Sequence, residues 1–152
     1  MKIATSRYIL LSFLSLIACF VLMSSAKIKL LQASIWVAPT SADTIKNPVK
    51  GDIKATSDGK KLYVQYCVVC HGDKGEGDGI AAAGLNPKPA DHSAEKIQKQ
   101  TDGAIFWKMT TGRPPMAAYE STLTKQQRWQ LVNYIRTLKK ISKKDKTEAK
   151  NK

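Results

Sequence analysis

Cys67-Val68-Val69-Cys70-His71 is the stretch of this 152-residue chain whose residue types and spacing could do chemistry. Two thiols three positions apart can bond the two vinyl groups of one porphyrin. The histidine directly after them can reach the iron from one face, so the run reads as a covalent c-type haem attachment. That chemistry needs two sulfurs on one side of a short turn and an imidazole nitrogen held close under the ring. A thioredoxin-like redox pair and half of a zinc site use the same cysteine spacing. The ligand count decides between them, because the chain has three cysteines and two histidines. Four cysteines cannot gather on zinc, and a site of two cysteines and two histidines would need 20 residues between its histidines. No βαβ pattern surrounds Cys67, as a thioredoxin-like unit would require. Cys67 and Cys70 are therefore expected to hold one haem c, with His71 on its iron.

A second chemical element is Arg113-Pro114-Pro115-Met116-Ala117-Ala118-Tyr119. Two prolines forbid a helix there and present Met116 on a stiff stalk. A thioether is a soft ligand that favours reduced iron and raises its potential, which makes Met116 the candidate sixth ligand. Met109 falls on the apolar face of a helical stretch and reads as core packing. His92 lies among charged and polar residues and reads as a surface histidine. The carbonyl of Pro87 is the expected acceptor for the far nitrogen of His71, a bond that would fix the ring and raise its basicity. Gly72 to Gly84, with Asp73, Glu76 and Asp78 among the glycines, is expected to pass as a loop around a haem edge. It lacks the preceding β run and the following lysine–serine pair of a phosphate-binding loop.

Helices must position these groups. Leu62, Tyr63 and Tyr66 recur at helical spacing, predicting a helix over 58–69 capped by Thr56, Ser57 or Asp58. Gly59 weakens it and is useful only where another backbone comes close. A short helix is expected over 91–99, and a longer one over 102–111 that Gly112 stops. Leu131, Tyr134, Ile135 and Leu138 form one face of a closing helix over 123–138, with Ser121 or Thr122 as its cap. That face should pack on Leu62, Tyr63 and Tyr66, so Tyr63 and Tyr134 are structural residues.

The N-terminus precedes the domain. Lys2 and Arg7 lead into an apolar run from Tyr8 to Ala26, which is what export machinery reads. Its 19 residues lie between a typical signal core and a spanning helix. A cleaved signal ending near Ser24-Ser25-Ala26 is expected first, an uncleaved anchor second, and a lipoprotein modified at Cys19 third. Each places the rest of the chain outside the cytoplasm, in a bacterial periplasm. Residues 27–55 read as a linker or N-terminal arm, 56–139 as the domain and 140–152 as a basic tail. The net charge of +13 is misleading as a guide to partners. Seven lysines lie in residues 139–152, whereas residues 52–138 carry 12 basic against nine acidic side chains. No arginine cluster or aromatic platform accompanies the tail, so no nucleic acid is expected.

Together the motifs resemble the class I cytochrome c family, especially the small bacterial single-haem domains that include subunits of cbb3-type oxidases. The matching stretches are Gly59 with Leu62-Tyr63 and Tyr66, then Cys67 to Gly72, Gly75 to Gly79 and Leu85 to Asp91. Met116, 45 residues after His71, and Leu131 with Tyr134-Ile135 complete the pattern. The resemblance implies an all-α fold wrapped around one haem c, with His71 proximal and Met116 distal. It implies terminal helices that cross near Gly59 and Tyr134. It also implies single-electron transfer between protein redox partners, such as a reductase and a terminal oxidase, rather than catalysis on a substrate. A free shuttle and a fixed relay subunit of a membrane complex both fit. A haem sensor or enzyme with an open sixth site is the more distant alternative.

Overall fold

The computed structural model describes residues 36–140. The apolar run from Tyr8 to Ala26 and the tail beyond Lys140 lie outside the described residues. The chain divides into two units, Met1–Val37 and Ala38–Lys152, and the second contains the candidate site. Its elements are α1 (Thr40–Asp43), α2 (Ile53–Tyr66), α3 (Val68–His71), a 3-10 turn (Ala82–Gly84), α4 (Glu95–Gln98), α5 (Asp102–Thr111) and α6 (Lys125–Thr137). Among the described residues there is no strand, only an isolated bridge between Arg113 and Met116. None of their helices is long and apolar enough to cross a membrane.

The two long helices, α2 and α6, cross at Gly59. A β-carbon there would stand 2.0 Å from the carbonyl oxygen of Gln130, so only glycine lets the backbones approach this closely. Tyr63, one turn further on, is fully buried with Leu131 and Val132 of α6, and its ring meets Tyr134 edge-on at 5.1 Å. Helix α2 begins earlier than the sequence pattern suggests. Asp52 caps it by accepting from the Ala55 amide at 2.9 Å, which leaves Asp58 inside the helix, paired with Lys54 and Lys61. At the start of α6, Thr124 and Gln127 form a reciprocal capping box, two residues beyond the expected cap.

Helix α5 has the expected bounds. Thr101 caps it through the Ala104 amide, and it buries Ile105, Phe106 and Met109 against Trp129, whose ring stacks on Phe106 at 4.0 Å. The arm before α2 is sewn onto this helical pair. Asn47 donates to Asp102 and to Asn133, and Asn133 donates back to the Val49 carbonyl. Arg136 completes the clasp with Nε on Asp102 at 2.8 Å and its other nitrogens on the carbonyls of Gln98 and Gln100. Under this clasp α1 lies on α5, where the Ala42 carbonyl occupies the place a side chain on Gly103 would take.

Candidate functional site

Helix α2 breaks at Cys67, and α3 adds a single turn. The His71 amide donates to the Cys67 carbonyl at 2.8 Å, and the Cys70 amide to the same oxygen at 3.1 Å. Residues three and four apart in such a turn share one face, so Cys67, Cys70 and His71 lie together. The turn would leave its last carbonyls unpaired. The glycine loop fills that need: Gly77 donates to His71, Gly79 to Cys70 and Ala81 to Val69 at 2.9–3.2 Å. The loop caps the motif from below.

The imidazole of His71 is only 8% exposed. Its Nδ1 lies 2.9 Å from the backbone carbonyl oxygen of Ala90. A carbonyl can only accept, so Nδ1 carries the proton and Nε2 keeps its lone pair. Burial holds the ring below the usual histidine pKa and so neutral, against the opposing pull of the Ala90 bond. This is the tautomer a metal-ligating imidazole needs.

The acceptor is Ala90, and this corrects the expectation of Pro87. Pro87 is exposed, and its neighbour Lys88 reaches back to the carbonyls of Ala82 and Ala83. The chain meets the site only further on, where the His92 amide donates to the Gly75 carbonyl. That anchor sets Ala90, three residues beyond Pro87, beside His71. Chain path, and not any property of proline, selects the acceptor.

His92 is likewise not a surface residue. It is partly buried, its Nδ1 lies 3.1 Å from the Tyr63 hydroxyl, and its ring stacks on His71 with centroids 3.9 Å apart and planes 18° apart. Burial, aided by the neighbouring His71, pushes its pKa down to about 3. Two imidazoles lying face to face cannot aim nitrogens at one metal from opposite sides, so His92 does not stand opposite His71.

Cys67 and Cys70 are free thiols. Burial, with Cys70 beside it, pushes the Cys67 thiol up to about 12. A redox-active pair of the thioredoxin kind instead needs a depressed thiol pKa. Among the described residues no group of three or more His, Cys, Asp or Glu side chains gathers to hold a metal ion.

Met116 closes a four-residue turn. The amides of Arg113 and Met116 donate to each other's carbonyls at 3.0 and 2.9 Å, with Pro114 and Pro115 exposed at the tip. Met116 is partly buried and packs on the same apolar cluster as Cys67 and Val68. Met109 is 4% exposed within that cluster. Tyr119 ties the two chemical elements together. Its hydroxyl donates to the Tyr66 carbonyl at 3.0 Å, next to Cys67, and its amide donates to the Met109 carbonyl. Buried Arg128 braces the following bend through the carbonyls of Tyr119, Glu120 and Leu123. The bracing role of Tyr119 is not legible in the sequence, because a tyrosine after a proline loop carries no spacing signal.

The family model for cytochrome c matches residues 56–139. The chain belongs to the cytochrome c family. Its fold is accordingly the small helical cytochrome c fold, and the family implies a covalently bound haem c. The residues present fit that group: two unpaired thiols and a neutral imidazole with its Nε2 unprotonated share one capped turn. A chain of the Kuenenia stuttgartiensis reducing HAO-like protein complex Kustc0457/Kustc0458 is similar, at 27% identity and TM-score 0.56 over 63% of this cytochrome and 50% of that chain. This cytochrome thus spans about half the length of that relative. The KustC0563 c-type cytochrome is 32% identical over 55% of this chain and 99% of its own, with TM-score 0.48. A comparison with curated proteins finds no match.

Proposed function

We propose that this cytochrome passes single electrons between protein redox partners, with Cys67 and Cys70 bonding one haem c and His71 and Met116 ligating its iron. The observation that carries the reading is the Nδ1 bond from His71 to Ala90, which leaves Nε2 available beside two free thiols. When bound, the haem supplies a one-electron iron(III)/iron(II) couple. The chain's own residues do the rest. Cys67 and Cys70, both partly exposed, would hold the ring, with Val69 between them open to solvent. Ala90 fixes the tautomer of His71 and raises its basicity. The Arg113–Met116 turn holds a thioether against the apolar cluster, where as a soft ligand it would favour reduced iron.

The apolar run from Tyr8 to Ala26 supports export to the periplasm as a diffusible carrier. The likeness to one chain of a multisubunit complex favours a second reading, a relay held within a larger oxidoreductase. Acid–acetone extraction followed by peptide mass measurement tests the core of the proposal. Haem mass is expected on the fragment containing Cys67, Cys70 and His71, and haem released into the organic phase would overturn it.

A further inference from the structure

One hydrogen bond fixes a point on an imidazole but not its plane. The bond to Ala90 holds His71 at Nδ1 alone, so the ring can still tilt through small coupled changes of its two side-chain torsions. The ring of His92, parallel to His71 and 3.9 Å away, removes that freedom. His92 is itself firmly mounted. Its amide donates to Gly75, its carbonyl accepts from Gln98, and the same Gln98 amide group reaches Ile135 of α6. Its ring is held by the hydroxyl of Tyr63, which is fully buried on α2. The segment 90–92 therefore grips His71 twice, at its edge through a carbonyl and at its face through a ring.

We infer that His92 is a positioning residue, a flat wall locked by Tyr63 that sets the ring plane of His71. This rests on the proposal that His71 ligates the iron. The plane of an axial imidazole selects the iron orbital that holds the unpaired electron in the oxidised state, and so decides which haem methyl groups sense it most strongly. A residue that merely fills the core has no such influence. The role requires a flat surface rather than a given volume, which separates it from packing: phenylalanine keeps the flat face, whereas leucine fills a similar space without one.

Proton NMR of the oxidised, haem-loaded protein tests this in wild type, His92→Leu, His92→Phe and Tyr63→Phe. Strongly shifted ring protons of residue 71 in the wild type are expected. Their absence would overturn ligation by His71 before the role of His92 is reached. With those signals present, His92→Leu is expected to change the order of the four haem-methyl resonances. His92→Phe is expected to restore the wild-type order, and Tyr63→Phe to shift the resonances in the direction of His92→Leu by a smaller amount. The wild-type order in His92→Leu would overturn the inference, as would a His92→Phe spectrum displaced as far as that of His92→Leu. Should His92→Leu fail to load haem, Tyr63→Phe decides, because it removes one hydroxyl only: resonances unmoved from wild type would overturn the locked wall.

Discussion

The carbonyl of Ala90 accepts the Nδ1 proton of His71 at 2.9 Å, 19 residues along the chain. This bond determines which imidazole nitrogen faces the site. It also explains why the glycine loop must fold back, since Gly75 is where the returning chain is pinned through the His92 amide.

Met116 and Met109 should separate cleanly in an optical experiment. Within the cytochrome c family a weak long-wavelength band in the oxidised protein reports a sulfur–iron(III) bond. The band should vanish in Met116→Ala and the potential should fall, because the lost soft ligand favoured iron(II). Met109→Ala should keep the band and instead lose about 2–5 kcal/mol of stability, the usual cost of emptying a core methionine site. High-spin iron that binds carbon monoxide in the wild type would point to an open sixth position.

Gly59→Val should disrupt the α2–α6 crossing, since the new side chain would meet the Gln130 carbonyl. Overpacking of this kind costs about 1–3 kcal/mol and more where backbone must shift. Chemical denaturation should show a lower midpoint. A midpoint equal to wild type would mean that the helices do not need this close approach.

Thr124→Ala removes half of the capping box at the start of α6. The expected loss is about 1 kcal/mol. Thr124→Ser should recover nearly all of it, because the hydroxyl is what the Gln127 amide requires. Thermal unfolding of the two variants side by side makes the comparison.

Deleting residues 142–152 should leave stability within about 0.5 kcal/mol, the scale of surface changes. The deletion retains Lys140, whose amine pairs with Glu76 and Asp91. Association with an acidic redox partner should become less sensitive to salt, as the removed lysines contribute screened attraction. An unchanged salt dependence would exclude a docking role for the tail.

The N-terminus of the natively produced protein distinguishes shuttle from anchored relay. An intact mass that begins near Lys27 is expected for a cleaved signal. A full-length species in the membrane fraction would instead mark an anchor, and a lipid-modified start at Cys19 a lipoprotein.

Helix α5 is legible in the sequence because its stop is a residue type: Gly112 ends the apolar period, and the structure ends it there too. The start of α2 is not, because Ile53 to Ser57 has no apolar stripe. Its helicity comes from the Asp52 cap and from exposed pairs around Asp58. Chemistry carried by spacing, as in Cys67 to His71, can be read directly. The acceptor for His71 cannot, since every residue has a carbonyl and only the path of the chain selects Ala90. His92 escapes a sequence reading for a related reason. Its flanking residues are charged or polar, yet the loop pinned at Gly75 turns its ring inward against His71 and Tyr63.

Asn47 and Val49 bear on what can be transplanted. The matched family span begins at residue 56, yet Asn133, Asp102 and Gly103 inside that span are covered by residues 42–49 outside it. A graft cut at the family boundary would strip a polar clasp from one flank of α6 and wet the surface where α1 lies on α5. The portable module therefore begins at Ala38, and chimaeras joined there should retain their melting temperature where those joined at residue 56 lose it.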